Sequence, residues 1–214
     1  MLIGIKKQKA HLEKTYLEEL SYKLWNTKGT RFVAHKRLTI KSELSNKALA
    51  FLSVYLIILS LLSVYQIIGN QFISDKLLAF GSTSLSILLL LFSQLEYSQD
   101  YKSIGLKFHE CALEISELYN DLRIFKTLKE RTNAEKEIFC EKTSNKYLDI
   151  LKKYQNHEDI DYRKFLADNS EYYKLNLIQI CYINLLFYFH TYFLYHLLIT
   201  SPPLLFVGFY YNKS

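Results

Sequence analysis

Residues 48–68 read ALAFLSVYLIILSLLSVYQII, and residues 77–95 read LLAFGSTSLSILLLLFSQL. Neither run carries a charged side chain. The first, with 21 residues, makes a helix of about 31 Å at about 1.5 Å per residue, and the second, with 19, makes one of about 28 Å. Each matches a hydrocarbon core of roughly 30 Å. A buried helix pair in a soluble protein is the competing explanation, but buried soluble helices rarely stay uncharged for so long twice in succession. The stretch therefore reads as a transmembrane helical hairpin, closed by Gly69 and the polar turn Asn70 to Lys76. About eight turn residues leave room for no external receptor domain.

Composition agrees with an all-α membrane protein. The 214 residues include only 6 Gly and 2 Pro against 18 Tyr and 14 Phe, which is little turn chemistry for a stranded fold and much aromatic surface for lipid or helix contacts. Charge divides unevenly around the hairpin. Residues 1–47 hold 11 Lys/Arg against 4 Asp/Glu, whereas residues 96–174 hold 14 against 16. Lys28, Arg31, Lys36, Arg37, Lys41 and Lys47 precede the first run and only Lys76 stands in the turn, so the positive-inside rule places the N-terminus in the cytoplasm. Lysines beside a span are accounted for by topology and anionic lipid, and no direct nucleic-acid binding is expected. Lys6, Lys7 and Lys9 end the N-terminal apolar run too early for a cleavable signal.

Four segments result. Residues 1–47 are basic cytoplasmic N-terminal helices, 48–95 the hairpin, 96–174 a cytoplasmic helical region and 175–214 a C-terminal hydrophobic segment. In the first, Leu12, Tyr16, Leu20 and Leu24 recur at four-residue intervals on an amphipathic helix; Asn26 to Thr30 reads as a break at Gly29, with Thr27 or Thr30 capping a second, basic helix.

The run Leu24-Trp25-Asn26-Thr27-Lys28-Gly29-Thr30-Arg31-Phe32-Val33-Ala34-His35-Lys36-Arg37-Leu38, followed by the hairpin and a long helix, resembles the SLATT family of bacterial two-transmembrane-helix proteins, with the nearest likeness to its reverse-transcriptase-associated branch. The pattern rests on Trp25, Thr27, Lys28, Arg31, Ala34, Arg37 and Leu38, and on His157-Glu158-Asp159-Ile160-Asp161-Tyr162 further on. The resemblance implies an effector of a bacterial conflict system of the anti-phage, abortive-infection type. Such an effector would oligomerise and breach the inner (cell) membrane, by a pore or otherwise, when a sensor or reverse-transcriptase partner triggers it.

Within the hairpin, Ala79, Gly81, Ser82, Thr83 and Ser86 place small residues four apart on the second helix, and Ser53, Ser60 and Ser63 dot the first. Two readings stay open: close helix packing, or the lining of a water-filled path in an oligomer. From Tyr97 the apolar spacing becomes 4-3, through Ile104, Phe108, Cys111, Ile115, Leu118, Leu122 and Phe125. That predicts a coiled-coil-like seam, either against the following helix or between chains. Thr132-Asn133-Ala134-Glu135 fits a capping box. Leu177 to Ile199 carries no acid, Lys or Arg and reads as a third span ended by Pro202-Pro203, with an interfacial helix as the competing reading; Leu204 to Tyr211 is too short to cross.

No enzyme is expected. The His157 to Asp161 cluster points its carboxylates different ways, Cys111, Cys140 and Cys181 have no ligand spacing, and nothing resembles a phosphate loop or a catalytic triad, so no metal or other cofactor is called for. The expected partners are the lipid bilayer, further copies of the chain and the triggering protein. A membrane-anchored scaffold that recruits a soluble partner through its cytoplasmic helices is the alternative.

Overall fold

The computed structural model describes residues 14–65 and 75–211, and every regular element among them is helical. These are α1 (Tyr16–Tyr65), α2 (Asp75–Ser98), α3 (Tyr101–Thr127), α4 (Asn133–Lys153), α5 (Asp159–Asp168), α6 (Ser170–Tyr173), α7 (Leu177–Tyr188), a π-helical turn (Phe189–Phe193) and α8 (Leu194–Tyr211). Leu12 and the turn from Gly69, up to residue 74, lie outside the described residues. Three stretches are long and apolar enough to cross a membrane: Tyr16–Tyr65, Lys76–Thr127 and Leu177–Leu204. The protein is an all-α membrane protein.

The chain forms two compact units, Met1–Lys36 with Gly105–Asn176, and Arg37–Ile104 with Leu177–Ser214. In the first, the 4-3 seam is turned inward on its own chain. Cys111, Ile115, Leu118 and Leu122 of α3 join Leu20 and Leu24 of α1 in one buried cluster, with Phe139, Tyr147 and Ile150 of α4 packed against it. Four-residue spacing on α1 and 4-3 spacing on α3 each put one apolar stripe on one helix face, and the stripes close on each other. Phe125 stacks on Phe139 at 4.0 Å between ring centroids. α4 opens where its capping box predicts, with the Glu135 N–H donating to the Thr132 hydroxyl at 3.2 Å and the Thr132 N–H donating to the Glu135 carboxylate at 2.8 Å. The bonds that the Thr132 N–H and hydroxyl donate to it hold the exposed Glu135 carboxyl below its ordinary pKa.

The expected break at Asn26 to Thr30 is absent: α1 runs unbroken for 50 residues, about 75 Å. Neither threonine caps a helix. Thr30 donates back to the Asn26 carbonyl at 2.9 Å, and Thr27 pairs with the Tyr147 hydroxyl at 2.8 Å. Gly29 is there for space. A Cβ at this position would sit 2.1 Å from the Phe165 ring of α5, so glycine lets an aromatic ring lie directly on the helix backbone. Gly29→Ala is expected to destabilise by about 1–3 kcal/mol through overpacking, despite alanine's better helix propensity. Thermal unfolding in detergent checks this, and Gly29→Ala with Phe165→Leu should recover part of the loss.

In the second unit, Pro202 and Pro203 do not end the last helix; α8 continues through both to Tyr211. A proline lacks the N–H that would bond the carbonyl four residues back, which frees those of Leu198 and Ile199. The Tyr55 hydroxyl of α1 donates to the Ile199 carbonyl at 2.7 Å, supplying from outside the bond that Pro203 cannot make. Tyr55→Phe is expected to cost about 0.6–1.7 kcal/mol, the range for hydrogen bonds between helices in a membrane. The cost should shrink in a Pro203→Ala background, where the backbone N–H of position 203 returns; a double-mutant cycle on thermal stability measures it.

Candidate functional site in the Trp25 to Leu38 motif and the apolar helices

Successive residues of the α1 motif reach different helices because each helical step turns the side chain by about 100°. The Trp25 ring meets Phe165 of α5 edge-on at 5.0 Å and Tyr172 of α6 at 5.0 Å. Thr27 takes Tyr147 of α4. Lys28 places its ammonium 4.0 Å from the centre of the Tyr119 ring of α3. Burial, with the nearby Arg123 charge, lowers the Lys28 pKa.

Arg31 is the centre of this arrangement and is 1 % exposed. Its guanidinium donates to the Gln155 carbonyl and, at 3.2 Å, to Asn156 Oδ1, both in the α4–α5 connection, while its plane lies 5.3 Å from the Phe108 ring centre. Burial pulls its pKa down, opposed by the nearby Cys111, Tyr147 and Asp161. Arginine keeps its charge regardless, since its unperturbed pKa exceeds about 12. Asp161 is fully buried and accepts the Glu158 N–H at 3.1 Å, which ties the start of α5. His157, half-buried beside them, has its pKa lowered by burial and then by the Arg31 charge. The two motifs quoted from sequence thus meet at Arg31, 126 positions before His157. The acidic residues after His157 start a helix and sit near a buried cation.

Ala34 is fully buried, and His35 Nδ1 lies 2.9 Å from the Gly105 carbonyl, its ring 4.7 Å from that of His109. In the second unit Arg37 and Leu38 are buried at 1 % and 5 % exposure. The motif is an interior brace that gathers α3, α4, α5 and α6 on α1. Sequence reasoning did not find the roles of Gly29, Tyr119, Tyr147 and Phe165, because each acts through a partner remote in sequence.

The seam residues also divide. Phe108, Cys111, Ile115, Leu118 and Leu122 are buried, whereas Phe125 and Ile104 are half-covered. Cys111, Cys140 and Cys181 carry free thiols, the first two buried and the last exposed.

The apolar helices of the second unit present their side chains outward. Only 11 % of the apolar window of α1, 6 % of the second and 17 % of the third is buried within the chain. Phe51, Ile57, Leu61, Phe80, Leu88 and Leu91 are among the exposed large residues. The hydroxyls of Ser53, Ser60, Ser82, Thr83 and Ser86 are satisfied locally, as a hydrocarbon surrounding demands. Ser53 donates to the Leu49 carbonyl, Ser60 to that of Leu56, Ser82 and Thr83 to that of Ala79, and Ser86 to that of Thr83, all at 2.7–3.0 Å. Ser63 is half-covered. A Cβ added at Gly81 would meet nothing within 4 Å. The small-residue face of α2 at Gly81 is thus not used for packing inside one chain.

Comparison with known proteins returned no curated relative and no solved structure that matches. Residues 13–209 match a family description that spans the Trp25 motif, the apolar helices and the last helix alike. Carrying both the brace and the uncovered membrane helices, the chain belongs to the SMODS and SLOG-associating 2TM effector domain family 5 and is a membrane effector of conflict systems.

Proposed function

We propose that this effector acts by assembling its membrane helices with those of further copies and breaching the inner membrane of a bacterium, without catalysing a reaction. The observation that supports this most is the uncovered α2 face at Gly81: it sits in a helix otherwise covered with lipid-compatible leucines, and small residues four apart let helix backbones approach closely. Neither apolar run of the hairpin carries a charge, so a path between copies has no charged selectivity ring, and unselective leakage fits better than ion selection.

The basic residues before the first run set the N-terminus, and with it both ends of the hairpin, on the cytoplasmic side. The third crossing is then made by the last apolar stretch, Leu177–Leu204, whose α8 part touches the hairpin. Tyr195 donates to Glu96, the first charged residue after the second apolar run, at 2.8 Å, and Ile199 meets Tyr55, inside the first run. Position 195 therefore stands beside the end of the second apolar run, and α8 packs against the hairpin. The stretch Leu177–Leu204, long and apolar enough to cross, contains the expected third span Leu177 to Ile199.

The trigger is a soluble partner, a reverse transcriptase or a nucleotide-signalling enzyme, that releases the brace around Arg31. Induced expression followed with a membrane-potential dye and a propidium-type stain tests the proposal. Depolarisation before loss of viability is expected; unchanged potential at toxic levels overturns the breach and leaves the membrane-anchored scaffold.

A further inference from the structure

We propose that the polar cavity at the junction of the α1 and α2 apolar runs binds the headgroup of a phospholipid bearing a primary amine. The cavity holds about 880 Å³ and is lined by α1 around Ser45 and by the end of α2 with the start of α3. Charged residues return to the sequence only where the apolar runs end, so this cavity lies at headgroup depth. That inference needs only the membrane placement of the helices and is independent of any breach.

The lining has the two charges of a zwitterionic headgroup. Glu96 and Asp100 supply carboxylates, Lys102 an ammonium, and Tyr97 and Tyr101 aromatic rings. Glu96 is held in place: one of its oxygens accepts from the hydroxyl of Tyr195, a residue only 3 % exposed, and a carboxylate has further lone pairs to offer. Asp100 joins α2 to α3 with a positive φ of 43°, a conformation that aspartate and asparagine tolerate better than most residues. A primary ammonium brings three N–H donors, which suits two carboxylates beside the Tyr97 ring, and the phosphodiester then falls to Lys102 and the serines. Leu91 and Leu95, 55 % and 64 % exposed on the same end of α2, offer an apolar path for the acyl chains. With Lys41 held 5.4 Å from the centre of the Tyr101 ring, two carboxylates face two ammoniums, a balance that suits a zwitterionic headgroup. A choline headgroup has the positive charge but no N–H to donate.

The full chain is placed in vesicles of equal parts phosphatidylethanolamine, phosphatidylcholine and phosphatidylglycerol, and the lipid it retains is read by native mass spectrometry. Retention of phosphatidylethanolamine at least about 10-fold above the other two, or about 1.4 kcal/mol, is expected. The double variant Glu96→Gln, Asp100→Asn should bring the three lipids to parity, since Gln still accepts from Tyr195 and Asn suits the positive φ. Equal retention by the unaltered chain, a preference for phosphatidylglycerol, or an unchanged preference in a folded double variant overturns the proposal. Stepwise N-methylation of the ethanolamine headgroup needs no variant: retention should fall with each methyl, and a flat series overturns it as well. Because depolarisation is not the readout, failure here is distinct from failure of the breach.

Discussion

Arg31→Met is expected to lower stability by about 3–5 kcal/mol, the range for removing one charge from a buried charged arrangement, and to shift the thermal midpoint down by roughly 6–20 °C for a chain of this size. The guanidinium is 1 % exposed. Methionine fills much of its volume but abandons the Gln155 carbonyl and Asn156 Oδ1, and it removes the positive charge that lies near the buried Asp161. Arg31→Lys should recover only a small part, because one ammonium cannot reproduce a planar fork that bonds two acceptors and stacks on Phe108. Thermal unfolding in detergent, with a membrane-potential readout in cells, measures both consequences. If the brace holds the effector off, a folded Arg31→Lys chain depolarises cells without its trigger. A midpoint unchanged within about 2 °C for Arg31→Met would show that the brace is not what holds α4 and α5 on α1.

The variant Gly81→Leu, Ser82→Leu, Ser86→Leu is expected to reduce depolarisation at least about 10-fold, equivalent to about 1.4 kcal/mol of lost helix association, while leaving the chain folded and in the membrane. The folded state survives because nothing lies within 4 Å of a Cβ at Gly81 and Ser86 is exposed on α2, so new leucines meet lipid and not a neighbouring helix. Any loss of activity is then a loss of contact between chains. The scaffold reading predicts full activity from this variant. Its own test must avoid Ile115 and Leu118, which lie in the core, where a charge would unfold the unit before it disturbed a partner. Leu113 and Ile124, exposed at 47 % and 56 % on α3, are the positions for charge substitution: loss of activity from Leu113→Glu with the leucine variant active decides for recruitment.

The sequence by itself determined the membrane helices and the start of α4. Those features rest on local rules. Uncharged length sets a span through the thickness of the bilayer, and a Thr-x-x-Glu box satisfies its own N–H groups within a single turn. The 4-3 spacing from Ile104 to Phe125 likewise fixed which face of α3 is apolar. It left open what covers that face, because a stripe of this kind fits a neighbouring helix of the same chain as well as a second copy; the packing of Leu20, Leu24 and Phe139 against it decided the matter for most of the seam.

Tertiary structure alone decided the glycine and the prolines. Gly29 reads as a helix breaker until Phe165 is seen lying on it, since a missing Cβ serves close packing as readily as a turn. Pro202 and Pro203 read as a stop until Tyr55 is found donating to the carbonyl that Pro203 leaves bare, a bond across 144 positions of sequence. In the sequence, Arg31 reads as one more juxtamembrane positive charge. Its burial became tolerable only when the α4–α5 connection, Phe108 and Asp161 were brought around it, and no local pattern encodes that gathering.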